Sequence, residues 1–172
     1  MSRNFSRKGK IAIFFCFFLL VDFISKYYVR LLLPKMSALY TLYPFGGLPV
    51  FQNFLGSSFS INYVQNRGAA WGLFSGMPHL LFYTRIVIVV ALIIYLFFFN
   101  KKPNQEIPLF FIVTGALGNI IDTIMYGYVV DMFHFTFGSY SFPVFNLADV
   151  MISLGIFWMF LLSLRCSSCR SR

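Results

Sequence analysis

Four long apolar runs set the limits on what this chain can become. They cover approximately 11–33, 79–99, 107–126 and 146–164. Each approaches the roughly 20 residues that a helix needs to cross a hydrocarbon core about 30 Å thick. Inside a bilayer the backbone must satisfy its own hydrogen bonds, so runs of this length are expected as helices. Composition agrees: of 172 residues, 59% are hydrophobic and 11% are charged, whereas soluble domains carry about 25% charge. The expected fold is all-α and integral to the membrane, with four transmembrane helices in a single domain spanning 1–172 and no internal repeat.

The net charge of +9 suggests a nucleic-acid partner until the cations are placed. Arg3, Arg7, Lys8 and Lys10 precede the first run, Lys101 and Lys102 separate the second from the third, and Arg165, Arg170 and Arg172 follow the fourth. With four spans these positions share one side, and the positive-inside rule makes that side cytoplasmic for both termini. Orientation and attraction to anionic lipid explain the basicity, and no basic-aromatic soluble module accompanies it, so nucleic-acid binding is not expected. The basic start followed by an apolar run has the outline of a secretory signal. Asp22 and Lys26 interrupt that run and no small-residue cleavage site follows it, so an uncleaved first span is expected. Among the cysteines, Cys16 lies mid-span, while Cys166 and Cys169 form a lone C-x-x-C at the cytoplasmic end. A reduced, structurally idle pair fits that setting better than zinc or redox chemistry.

Between the first two spans the character changes. Pro34, Pro44, Pro49 and the Gly46-Gly47 pair break helix. Phe59, Ile61 and Tyr63 then alternate with Ser58, Ser60 and Asn62, a period of two that reads as a strand. A small extracytoplasmic β element lying on the membrane is therefore expected within 34–77. The run from Asn66 to Gly72 is rich in small residues, which suit either a ligand's close approach or tight packing. Residues 127–145, between the third and fourth spans, are expected as an extracytoplasmic loop.

Three of the five acidic residues, Asp122, Asp131 and Asp149, fall between positions 115 and 149. Asp22 and Lys26 are spaced i, i+4 on the first span and share a helix face. Ionisable groups in spans face a bundle interior or a wet cavity and pair there, either as a structural ion pair or beside an active site. In the third span Gly115, Gly118 and Asp122 lie at i, i+3 and i+7, a stripe that faces protein and places Asp122 at depth. Antiparallel third and fourth spans would bring Asp131 and Asp149 together near the outer surface. Two carboxyls that close do not both ionise readily. One can take a proton from water while the other polarises a peptide carbonyl. A Ser-His triad has little support. Zinc has little support either, since His79 and His134 are the only histidines and both suit ordinary interfacial positions. Neither metal nor cofactor is expected. Buried carboxylates in a small four-span protein suit a proton- or cation-coupled transporter equally well, and composition and spacing do not separate that class from a protease.

Read in order, four blocks resemble the lipoprotein signal peptidases (signal peptidase II) of bacteria. They are Asp22-Phe23-Ile24-Ser25-Lys26, the Asn66-Arg67-Gly68-Ala69-Ala70-Trp71-Gly72 run, Gly115 through Asp131, and Phe145-Asn146-Leu147-Ala148-Asp149. The resemblance implies an aspartic endopeptidase of the inner membrane, acting on its extracytoplasmic side. It would remove the signal peptide of a prolipoprotein by cutting before the diacylglyceryl-modified cysteine. It implies Asp131 and Asp149 as the catalytic pair, with Asp22, Lys26, Asn66, Gly68, Asn119, Asp122, Asn146 and Ala148 supporting or binding substrate. It further implies a sheet that cradles the substrate and a gating helix, both drawn from 34–77. Lipidated signal peptides and membrane lipids would be the partners, and a monomer is expected. One position departs from the family pattern: Thr123 stands where an Arg usually follows the third-span aspartate. That change takes a cation from Asp122 and from substrate, and Arg67 and Arg85 are the candidates to replace it.

Overall fold

The computed structural model describes residues 2–68 and 77–168. Residues 69–72 of the second motif and Cys169 lie outside them, as does the part of the expected gating segment at 73–76. Helix α1 spans Ser2–Leu32. Strands β1 (Leu48–Phe54) and β2 (Ser57–Asn66) form a hairpin after it. Helix α2 covers Pro78–Ile94, with Pro at its first position, and continues through a π-helical turn at Tyr95–Phe99. Helix α3 follows at Glu106–Tyr126, then strands β3 (Val129–Phe137) and β4 (Tyr140–Ser141), and finally helix α4 (Leu147–Ser168). All four helices are long and apolar enough to cross a membrane. The protein is a multi-pass membrane protein built from a helix bundle and a sheet.

The sheet extends the expected all-α architecture. It has four antiparallel strands in the order β1-β2-β3-β4. The β element is therefore not confined to the connection between the first two spans, because 129–141 supplies two strands from what reads as a loop. Gly127 ends α3 in the left-handed region at φ 76, its N–H returning to Thr123 O. That glycine turn is the usual way to stop a helix, and here it sends the chain directly into β3. Gly138, at φ 58, makes the turn into β4. All these strands gather at one end of the bundle, opposite the N-terminus and the 100–105 connection.

The alternation read in β2 is present, but its polar side is the covered one. Ser60 and Asn62 are buried, with Ser60 Oγ donating to Asn62 Oδ1 at 2.7 Å. Asn62 Nδ2 donates to Pro44 O at 2.8 Å. The segment before β1 thus lies over this face. A Cβ at Gly47 would collide with Ile61 O and stand 2.6 Å from Asn62 Nδ2. His134, on β3, belongs to the same covered face. It is buried rather than interfacial, bonds Ser141 Oγ at 2.7 Å through Nε2, and packs on the Phe45 ring 5.0 Å away. The opposite side carries an aromatic ladder, with Phe59 stacked on Phe135 at 4.3 Å and Phe135 on Phe145 at 6.1 Å.

Helix α3 is the centre of the bundle. Over half of its apolar window (56%) is buried, against 17%, 11% and 17% for the spans of α1, α2 and α4. One core cluster joins Phe15 of α1 to Leu96, Leu109 and Phe110, and a second joins Val29 to Tyr63, Val130 and Met132 of the sheet. At the end away from the sheet, Lys8 is buried and donates to Leu96 O at 2.6 Å and Asn100 O at 3.2 Å. Its ammonium therefore caps the last carbonyls of the second span. Arg7 pairs with Glu106 at 3.3 Å. Part of the basic leader is thus structural as well as a topology signal.

Candidate active site

Close packing against α3 fixes the frame of the site. A Cβ on Gly115 would collide with Ala148 O, and one on Gly118 would stand 2.6 Å from Asp22 Oδ2. The glycines of the stripe let the first turn of α4 and the acid of α1 lie directly on α3. Around this contact sits Lys26, 1% exposed. Its Nζ meets Asp22 Oδ2 at 2.8 Å and Asp122 Oδ2 at 3.0 Å, and donates to Asn119 Oδ1 at 3.0 Å. The buried ammonium is thus surrounded by two carboxylates and one amide oxygen.

The two carboxylates held by Lys26 also hold backbone. Asp22 Oδ1 accepts the Ala148 N–H at 2.9 Å, one of the donors left unpaired at the start of α4. Asp122 Oδ2 accepts the Val130 N–H at 3.1 Å. One acid therefore anchors the element that carries Asp149, and the other anchors the strand that carries Asp131. Asp122 has a cation despite Thr123, namely Lys26. The loss of a partner expected from that departure is thereby corrected.

Asp131 and Asp149 meet around Asn146. The Asn146 side-chain amide donates to Asp131 Oδ1 at 2.7 Å, and its backbone N–H donates to Asp149 Oδ2 at 3.2 Å. Asp149 N–H returns to Asn146 Oδ1 at 2.9 Å, an N-cap arrangement at the head of α4. Asn119 Nδ2 donates to Asp149 Oδ1 at 2.9 Å, and Asn66 Nδ2 donates to Asp131 Oδ2 at 2.9 Å. Gly68 N–H in turn donates to Asn66 Oδ1 at 3.0 Å. Beside Asp131 the pairing of β2 and β3 slips between Ile61 and Val64. Such a bulge re-aims side chains at a strand end. Every site residue named from the sequence falls into this one hydrogen-bonded network.

The two acids differ in setting. Asp131 is 2% exposed, and burial pushes its carboxyl up from 3.8 to about 7, with the charge of Asp149 adding to the effect. The amides of Asn66 and Asn146 and the charge of Lys26 oppose that rise. Asp149 is half-buried and opens onto a cleft of about 210 Å³ between α2 and α4, with α3 as its floor. Arg85, Ile88 and Val89 line one wall, Ala116 and Asn119 the floor, and Ile152 the other wall beside Asp149. Among the described residues no three His, Cys, Asp or Glu side chains converge as metal ligands. His79 lies exposed at the start of α2 and His134 bonds Ser141, so neither joins the pair.

Some of this has no signal in the sequence. The backbone donors of Val130 and Ala148 are invisible to residue identity. Arg85 is marked only as a charge in an apolar run, yet it donates from Nη2 to Gly68 O at 3.0 Å. Thr123, placed one turn beyond Asn119, spends its hydroxyl on Asn119 O at 2.9 Å within its own helix.

Comparison with known proteins follows the same geometry. A family model for signal peptidase (SPase) II matches residues 14–165. A lipoprotein signal peptidase of Chlamydia pneumoniae is 46% identical over 100 residues, which cover 57% of this chain and 60% of that protein. One from Chlamydia caviae is 35% identical over 157 residues, covering 88% of this chain and 90% of its own. A solved bacterial membrane enzyme, determined by the in meso method, superposes with a TM-score of 0.76 at 27% identity over 95% of this chain and 90% of that one. The chain belongs to the signal peptidase II family, aspartic proteases that process lipoprotein precursors.

Proposed function

We propose that Asp131 and Asp149 are a catalytic dyad that removes the signal peptide of prolipoproteins by cutting before the diacylglyceryl-modified cysteine. The observation that carries this reading is the position of Asn146, which bonds both acids at once at the head of the cleft between α2 and α4. Asp131, whose carboxyl is held near 7, enters the reaction as the acid, and Asp149 enters as the base. Asp149 takes a proton from water as the water oxygen attacks the scissile carbonyl carbon, and Asp131 gives its proton to the carbonyl oxygen. The resulting diol collapses, the C–N bond breaks, and the proton on Asp149 passes to the departing amine. Each carboxyl is then back in its starting state once Asp131 recovers the proton released from the diol.

The other residues act through the dyad. Asn66, Asn119 and Asn146 aim the acids, Lys26 with Asp22 and Asp122 locks α1, α4 and β3 together, and Ala148 and Gly68 supply backbone donors. The sheet end faces the extracytoplasmic side of the bacterial inner membrane, with both termini in the cytoplasm, a placement supported by the distribution of Lys and Arg. The leader's apolar helix enters from lipid through the cleft, its acyl chains stay in the bilayer, and one copy of the chain suffices.

The test is cleavage of a purified lipidated precursor by the wild type, Asp131→Asn and Asp149→Asn, each confirmed as inserted. Both variants are expected to be inactive. Cleavage retained by either one removes that residue from the dyad.

A further inference from the structure

The cleft that leads to Asp149 contains a cation that the reaction above does not use. Arg85 stands on α2, half-buried, facing Asn119 and Asp149 across the cleft. Its one described hydrogen bond, from Nη2 to Gly68 O at 3.0 Å, fixes one edge of a planar group with five donors. The rest of the lining is apolar apart from Asn119 and Asp149. An Arg is therefore pinned by its tip beside a reacting carboxylate, in a groove otherwise shaped for hydrocarbon.

The substrate's own chemistry supplies a use for it, given the dyad reading. A leader that arrives through lipid is a helix, because a bare backbone is not tolerated there. The bond to be cut lies just past the leader's C-terminal end, and the last four carbonyls of any helix lack internal donors. They also carry the negative end of the helix dipole. Bringing those carbonyls to Asp149 sets like partial charges against a carboxylate, and Asn119 already has its amide on Asp149. A guanidinium fork is the group suited to several carbonyl oxygens at once. The family pattern's Arg, after the third-span aspartate, would rise from the same stripe as Ala116 and Asn119, at i, i+3 and i+7. Here that place is Thr123, bonded into its own helix.

We propose that Arg85 is a substrate-binding residue that caps the orphaned main-chain carbonyls of the leader helix beside the scissile bond, so that the guanidinium reaches the cleft from α2 rather than from α3. This rests on the dyad reading for the location of the scissile bond, and the experiment separates the two.

Precursor affinity is measured with the inactive Asp131→Asn protein and with Asp131→Asn/Arg85→Ala, and turnover with Arg85→Ala, Arg85→Lys and Arg85→Ala/Thr123→Arg. Arg85→Ala is expected to raise KM by about tenfold or more with a smaller fall in kcat, and to weaken binding equally in the inactive background. Arg85→Lys recovers only part of this, since an ammonium lacks the planar fork. Arg85→Ala/Thr123→Arg restores KM to within about threefold by returning the guanidinium from the other wall. Unchanged KM and affinity in Arg85→Ala would overturn the proposal, and so would a loss confined to kcat. A loss that Thr123→Arg does not rescue, accompanied by a lower melting temperature, assigns Arg85 to structure and overturns it too. If Asp131→Asn still cleaves, the dyad fails instead, while the KM series with Arg85 still reports on binding.

Discussion

The molecule holds two groups of carboxylates linked by one hydrogen-bonded network, and it treats them oppositely. Asp22 and Asp122 share Lys26, with ion-pair contacts of 2.8 and 3.0 Å, and each also accepts a backbone N–H, Asp22 through Oδ1 and Asp122 through Oδ2. Asp131 and Asp149 receive only neutral donors from their bonded partners, the amides of Asn66, Asn119 and Asn146 and the Asn146 backbone. A carboxylate with a cation in contact and a backbone N–H bonded to it serves as a fastener. A carboxyl aimed by amides is oriented without a cation in contact, and for Asp131 burial outweighs those amides and holds the proton to about 7. Asn119 joins the two regions, accepting from Lys26 on one side and donating to Asp149 on the other. The fasteners fix the backbone, and the amides fix the reacting atoms.

The largest effect follows from breaking the first group. Lys26→Met leaves two buried carboxylates without their cation, and removing one partner of a buried pair costs about 3–5 kcal/mol. Thermal unfolding in detergent at pH 7 is expected to show that loss, with failure of insertion at the extreme. A melting temperature unchanged by Lys26→Met would erase the distinction between the two groups. Next is the second group. Asp131→Asn is expected to lower cleavage by at least about 10²–10⁴-fold, the usual weight of a general acid or base. Its fold is expected to lose only about 1 kcal/mol, where one amide now faces another. If Asp131→Asn unfolds as readily as Lys26→Met, Asp131 is a fastener as well.

This division was partly legible in the sequence. The i, i+4 spacing of Asp22 and Lys26 announces their contact, and the small-residue stripe of α3 announces the surface against which they pack. That Lys26 also takes Asp122 is a contact between helices, which spacing along one helix cannot encode. The sheet was half visible. In β2, Phe59 and Ile61 alternate cleanly with Ser60 and Asn62. In β3 one side carries Val129, Asp131 and Phe133 and the other Val130, Met132 and His134, so no polar-apolar alternation separates it from a loop. Which side of β2 is covered was not legible either, because beside a bilayer the aromatic side need not turn inward. Lys8 reads as a topology signal because a cation capping carbonyls of another helix leaves the same mark in the sequence as one lying at the surface.

The comparison sharpens further with pH. Asp131 binds its proton more tightly in the fold, near 7, than at its ordinary 3.8. Its contribution to stability is therefore complete below about 3.8, shrinks as pH rises, and is lost by the time pH passes about 7. The melting temperature of the wild type is expected to fall across that window, and the fall is expected to be shallower in Asp131→Asn. With Asp131 as the acid, kcat/KM for the precursor declines above about 7. A rate that stays flat to pH 9 would remove Asp131 from that role.

The smallest effect comes from one amide. Asn66 donates to Asp131 Oδ2 at 2.9 Å, and this bond favours the charged carboxylate, holding the value below what burial alone would give. Asn66→Ala removes the donor while leaving burial and the charge of Asp149 in place. The proton on Asp131 is then bound more tightly still, and the alkaline limb of kcat/KM moves to higher pH. The displacement is expected to be about one pH unit, the equivalent of a hydrogen bond to a charged acceptor worth roughly 1.5 kcal/mol. Loss of Asn66 also frees the Gly68 N–H that its Oδ1 accepts, so the maximum rate falls as well. The direction of the limb is what discriminates, because mere loosening of the site lowers the rate without moving the limb upward. A limb that stays fixed, or moves to lower pH, would mean that the group titrating near 7 is not the carboxyl that Asn66 touches.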